Sequence, residues 1–201
     1  MGGNAHADDL FMVSKVIEKL VKESKGKVVF ETMGMTRQEL TGVFPIQDSG
    51  DNACPSCGYE GQLHHFPGES LDDYPLALAS RGWDIAIAPV VNNAFGNAKS
   101  DIKIKEYAAS GISIVASPVA PYIEAQKNGA RLILADTFDG WYNGLRELIR
   151  SPKKREEMAR SNREWIEKYW IQENAQNIFE VYRQIISKAE SVLGKKENRI
   201  I

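Results

Sequence analysis

No apolar run in this 201-residue sequence approaches the roughly 18–20 residues needed to cross a bilayer, so nothing in it reads as a transmembrane helix. Cysteine is scarce too. Two thiols cannot staple a chain of this length, which excludes a disulfide framework. An excess of one charge is also lacking: 25 Lys and Arg face 27 Asp and Glu, for a formal net charge of −2. No global field therefore draws the chain to nucleic acid. The start, "MGGNAHADDL", has neither the basic region nor the apolar core of a secretory signal peptide. Its sixth residue is His6, where a myristoylation signal needs Ser or Thr. Absent as well are a P-loop, a full G-x-G-x-x-G and any Ser–His–Asp order. These absences lead to the expectation of a cytoplasmic protein.

A hydrophobic fraction of 43% and a charged fraction of 26% suit a globular core. The charge is uneven. Residues 151–201 carry 11 Lys and Arg against 8 Asp and Glu, whereas residues 1–150 carry 14 against 19. The mildly basic C-terminal part leaves open a peripheral contact with an anionic membrane face, beside the plainer reading of solvated helix faces.

Helical and strand patterns alternate along the chain. Leu10, Val13, Val16, Ile17 and Leu20 keep helical spacing in "DDLFMVSKVIEKLVKES". "GKVVF" (26–30) predicts a short buried strand, "QLHHF" (62–66) a weaker one, and residues 74–80 a short helix closed by Gly82. "WDIAIAPV" predicts a strand ended by Pro89. A helix over 99–110 stops at Gly111 before the strand "ISIVA"; "PYIEAQKNGARLILA" repeats the order of helix, glycine and strand. Helices are expected at about 138–150, 152–168 and 171–193. The aromatic run Trp165, Tyr169 and Trp170, with Phe179 and Tyr182 beyond it, reads as core. Residues 31–62 are irregular, rich in Gly, Asp, Asn and Pro, and read as an insertion or functional loop. The pattern predicts a Rossmann-like, doubly wound parallel sheet with helices on both faces and a helical C-terminus. "MGGNAH" has the character of a glycine turn between a strand and a helix, yet no strand precedes it, so the first strand of the sheet is expected to be missing. A merely flexible, glycine-rich start is the alternative.

Ligands of such sheets bind beyond the C-terminal ends of the strands, which directs attention to "NNAFGNAKSDIKIKEYAAS" (92–110). Lys99, Lys103 and Glu106 fall on one helical face. Two lysines near a helix N-terminus oppose the macrodipole, and a like-charged i,i+4 pair costs about 0.2–0.5 kcal/mol. An anion would reverse that balance. Free N–H groups at a helix start, with Ser100 or Asp101 as cap, plus Lys99 and Lys103, suit a diphosphate. Glu106, one turn on, suits sugar hydroxyls. Asn97 and Gly96 lie in the loop before it, where Gly96 would let backbone approach a ligand. A solvated, charge-balanced face is the alternative. His6, beside Gly2, Gly3 and Asn4, is placed to hydrogen-bond the same ligand or to serve as a surface or cap residue. "CPSCG" pairs Cys54 with Cys57 at zinc-knuckle spacing, and His64 and His65 follow. A second Cys pair is missing, and adjacent histidines on a strand point to opposite faces. A turn with two free thiols is the plainer reading, and no metal is expected. No Asp-x-Asp occurs, which argues against an enzyme that holds a nucleotide-sugar through a divalent ion.

The segments "WDIAIAPVVNNAFGNAKSDIKIKEYAASGISIVASPVAPYIEAQKNGARLIL" and "GWYNGLRELIRSPKKREEMARSNREWI" together resemble the C-terminal donor-binding domain of GT-B glycosyltransferases, of the glycosyltransferase group 1 (family 4-like) type. "GGNAHADDL" resembles the glycine turn and first helix of that domain. The resemblance covers nearly the whole chain except 31–62. It implies one domain that binds a nucleotide-diphosphate sugar without metal or further cofactor, for transfer to a saccharide or lipid-linked acceptor with retention. By that resemblance Lys99, Ser100 and Lys103 face the donor, Gly2 and Gly3 lie close to its phosphate and sugar, and Glu106 binds its ribose; Asn4, His6 and Asn97 complete the expected donor-binding set. Two departures stand out. The family pattern has a second Glu that would fall at Ala98, and the family's N-terminal, acceptor-binding domain has no counterpart in these residues. No catalytic residue is assigned. A non-catalytic nucleotide-sugar-binding or protein-interaction module is the alternative, and a zinc-knuckle interaction domain a third.

Overall fold

The computed structural model describes residues 7–25, 27–34 and 63–197. Helix α1 (Ala7–Ser24) leads to strand β1 (Phe30–Met33), and β2 (Leu63–Phe66) pairs with β1 in parallel. Helix α2 (Tyr74–Ser80) precedes β3 (Ile85–Ala88). A one-turn helix α3 (Ala94–Asn97) and α4 (Ile102–Ala109) connect β3 to β4 (Ser113–Ala116). Helix α5 (Ala120–Lys127) leads to β5 (Ile133–Leu134), and α6 (Phe138–Arg150), α7 (Pro152–Glu167) and α8 (Ile171–Glu197) follow.

Strands β3, β4 and β5 form a parallel sheet in that order, separate from the β1–β2 pair. All four residues of β4 are buried, as a central strand covered on both faces requires. Side chains alternate across it. Val115 meets the cluster built from Leu10, Val13, Val16, Ile17 and Leu20 of α1 and Trp141, Leu145 and Leu148 of α6. Ile114 and Ala116 meet Ile104 and Ala108 of α4, Tyr122 of α5 and Trp165 of α7. Helices thus cover both faces, the doubly wound arrangement expected of strand–helix alternation. Each large apolar side chain so buried is worth about 1.5–3 kcal/mol.

Buried polar groups bind these layers together. Asn162 on α7 accepts from Arg131 N–H at 2.7 Å and donates to Arg131 C=O at 2.8 Å. Arg155 donates to the Leu148 carbonyl at 2.7 Å, closing the C-terminus of α6 with a cation where the helix dipole is negative. The two sheets are tied by Trp83, whose Nε1 donates to Glu31 Oε2 at 2.6 Å.

Several expectations shift. The first strand is Phe30–Met33 and not 26–30, because Lys25 turns into the left-handed region (φ 50) and Val28 N–H still bonds back to Ser24 Oγ at 3.2 Å. Residues 31–33 are therefore strand. Gly82, Gly111 and Gly129 do end their helices, each at positive φ (66, 69 and 106). Of the aromatic run only Trp165 is core. Tyr169 packs edge-on against it with ring centroids 5.0 Å apart, while Trp170, Phe179 and Tyr182 are exposed. No described helix is long and apolar enough to cross a membrane.

Candidate functional site

The C-terminal end of β3 runs through Pro89 into a loop that the backbone shapes tightly. Asn93 caps α3 by accepting from Gly96 N–H at 2.7 Å. A Cβ at Gly96 would lie 2.1 Å from the Val91 carbonyl oxygen. The glycine thus serves a backbone-to-backbone contact within the loop. Because residues 94–97 form their own turn, the next helix starts at Ile102 and not at 99.

That late start gives Lys99 a different role. It lies before the helix, and its Nζ is 3.0 Å from Asp9 Oδ2, with both side chains largely buried. Asp9 Oδ1 also accepts from Val91 N–H at 2.8 Å. One carboxylate from the first turn of α1 thereby secures the β3–α3 loop and neutralises Lys99. Asn97 is likewise committed. Its amide donates to Asn92 Oδ1 and Asn93 C=O, and its carbonyl accepts from Ala120 N–H at 2.8 Å, at the start of α5. Ser100 is exposed in the turn.

Lys103 is different. It sits in the first turn of α4, partly buried, and among the described residues no group makes a hydrogen bond or ion pair with its ammonium. Burial lowers its pKa below the usual lysine value; Asp9 opposes that shift, Lys99 reinforces it, and Glu106 opposes it. Asp101 occupies the N-cap position of α4 but makes no cap bond. Its carboxylate turns instead to Lys105, i,i+4, at 2.9 Å. The first amides of α4, at Ile102 and Lys103, therefore receive no side-chain acceptor from it. An unpaired cation beside uncapped helical N–H groups is an arrangement that an anion would complete.

Glu106 stands one turn further along. Its Oε2 accepts from the Tyr74 hydroxyl at 3.2 Å, which fixes the carboxylate from the start of α2. Burial raises its pKa, while the Tyr74 bond and Lys103 pull it back. Tyr74 is itself pushed up to about 12, by burial and then by Glu106, so it remains a donor at neutral pH. Tyr122 is also pushed up to about 12, first by burial and then by Asp9 and Asp101.

Lys103, Glu106 and the uncapped helix start thus lie together. Lys99 and Asn97 are adjacent but already bonded. Gly2, Gly3, Asn4, His6, Cys54 and Cys57 lie outside the described residues, and no cluster of three metal-ligating side chains occurs among the described ones. Sequence reasoning missed Asp9 and Tyr74. Asp9 carried one signal, an acidic residue in the first turn of an amphipathic helix, which reads as ordinary dipole compensation. Tyr74 carried none.

No protein-family model matches the chain. No curated protein matches it either. Among solved structures, the crystal structure of WaaG, a glycosyltransferase involved in lipopolysaccharide biosynthesis, is similar at 15% identity with a TM-score of 0.48. The match covers 75% of this chain and 39% of that one, so the chain spans about two fifths of the length of WaaG.

Proposed function

We propose that this chain is the donor-binding part of a group 1, GT-B-type glycosyltransferase, and that the N-terminus of α4 holds the diphosphate of a nucleotide-sugar. The observation that carries the reading is Lys103: a partly buried lysine that makes no ion pair or hydrogen bond among the described residues, beside helix amides that the N-cap side chain of Asp101 leaves unbonded. Lys103 and the helix N–H groups would stabilise the charge that develops on the leaving diphosphate, without reorganising at the moment of transfer. Glu106, oriented by Tyr74, would take the ribose hydroxyls. The reaction is metal-independent transfer of a hexose, with retention, to a saccharide or lipid-linked acceptor. It needs a second, acceptor-binding domain, and it takes place on the cytoplasmic side of a membrane with peripheral contact.

Calorimetric titration with a panel of nucleoside diphosphates tests this. Lys103→Ala and Glu106→Ala are each expected to weaken binding about tenfold, the usual order for a charge-assisted hydrogen bond. Unchanged affinity in both variants rejects the site. A second reading, a module that binds the donor without transferring sugar, is favoured by Ala98. That residue stands where the resemblance expects a carboxylate, and Lys99 does not replace it because it is bonded to Asp9. Donor hydrolysis or transfer by the chain joined to an acceptor-binding domain separates the two.

A further inference from the structure

Helix α8 carries an apolar face that stands apart from the buried clusters of the fold. Among the described side chains from 171 to 189 none is buried. Ile171, Phe179, Val181, Tyr182, Ile185 and Ile186 are each more than half exposed, at 55–63%. Together with Ile178 and Trp170 they present on the order of 800 Å² per copy, which is what one partner gives to a standard protein interface. A monomer rarely leaves so large a contiguous patch to water.

The spacing of the face indicates what covers it. Ile171, Ile178 and Ile185 recur every seven residues, and Ala175, Tyr182 and Ala189 each follow one of them by four. Steps of four and three in alternation make the 3.5-residue repeat of a coiled coil, whose seam faces another helix. A helix lying in a membrane surface needs a polar face rich in Lys and Arg. Residues 171–189 carry only Arg183 and Lys188, against Glu173 and Glu180.

Those four charges also select a direction and a partner. Residues 171–180 hold both acidic groups and no basic one; residues 181–189 hold both basic groups and no acidic one. Two copies of α8 laid antiparallel about Glu180 set the acidic half of each beside the basic half of the other, and a parallel pair sets like beside like. The same register puts Ala175 opposite Ile185 and Ala189 opposite Ile171, a small side chain against a large one, with Tyr182 opposite Ile178. The rest of each protomer then joins the pair at opposite ends of a shared segment roughly 28 Å long, so the two do not compete for space.

We propose that the exposed face of α8 is an isologous dimer interface, covered by α8 of a second copy of this chain in antiparallel register about Glu180. The pairing is two-fold symmetric, as a closed homodimer requires. The inference does not depend on what the N-terminus of α4 binds.

Sedimentation of the 201-residue chain up to about 100 μM should show a reversible dimer. Ile178→Glu with Ile185→Glu places unpaired charges in the seam and should weaken dimerisation about a hundredfold or more. Both side chains are exposed in the protomer, so the fold, read from the circular dichroism of the monomer, should persist. Gln184→Glu adds the same charge off the seam and should leave the dimer intact. Orientation is read by disulfide formation with Cys54 and Cys57 changed to Ser. A mixture of Gln172→Cys and Ile186→Cys chains should cross-link about tenfold faster than either alone. A chain that stays monomeric at about 100 μM overturns the proposal, whether or not that monomer binds vesicles of anionic phospholipid. So does equal weakening by the seam and off-seam glutamates, or cross-linking of Gln172→Cys chains alone as fast as the mixture.

Discussion

The β3–β4–β5 half and the β1–β2 half of this molecule are built from similar short parallel strands, yet they differ in closure. Around β4 every strand residue is buried, helices cover both faces, and buried Asn162 and Ser117 have their hydrogen bonds made. Around β1, all four strand residues line a cavity together with their neighbours in sequence, and Trp83 bonds across to Glu31. The closed half gives α4 a rigid base. Beside the candidate site, Tyr74 comes from α2, while Asp9 comes from α1, which packs on β4 in the closed half. A precise anion site here depends on the closed half for position and on Tyr74 for the orientation of Glu106.

The largest expected contrast is in packing. Trp141→Ala, at a fully buried position against α1, should cost about 3–5 kcal/mol in denaturant unfolding, whereas Phe30→Ala, on the cavity wall, should cost roughly half of that or less. Equal losses would remove the distinction between the halves. Next is the loop. Gly96→Ala brings a Cβ against the Val91 carbonyl and should cost about 1–3 kcal/mol, read as a lower midpoint with an unchanged slope. Asp9→Ala should cost about 1–3 kcal/mol, because Val91 N–H and the Lys99 ammonium lose their acceptor.

The smallest effect has the opposite sign. The folded-state pKa of Lys103 is lowered, so at neutral pH the fold holds a charge that burial disfavours. That penalty is full below the lowered value and fades as pH rises to the ordinary 10.5, where the unfolded lysine also loses its proton. Lys103→Met should therefore raise stability at pH 7 while weakening anion binding, and its advantage should shrink in unfolding measurements at alkaline pH. A stability loss at pH 7 would contradict the view of Lys103 as a group held at a cost for binding.

Much of the closed half was legible in the sequence because local rules govern it. The five apolar positions of α1 fixed its buried face, and three glycines marked helix ends that need positive φ. Strand β1 lay a few residues later than its apolar run suggested, since hydrogen bonding to Ser24 holds the preceding segment. The site was less legible. Lys103 and Glu106 stand one turn apart on one helix, so periodicity found them. Lys99 lies before that helix, and its pairing with Asp9 spans 90 positions, beyond the reach of any local pattern. Tyr74 meets Glu106 across 32 positions for the same reason. The exposed aromatic residues of α8 show a further limit: helical spacing identifies an apolar face but not whether anything packs on it.

The central claim, that the N-terminus of α4 with Lys103 binds a nucleoside diphosphate, is tested most directly by following backbone amide resonances during titration. The account predicts that the Ile102 and Lys103 amides shift most, with Glu106 following, and that Lys103→Ala abolishes the shifts. Saturable binding that leaves Ile102 and Lys103 unmoved would contradict it.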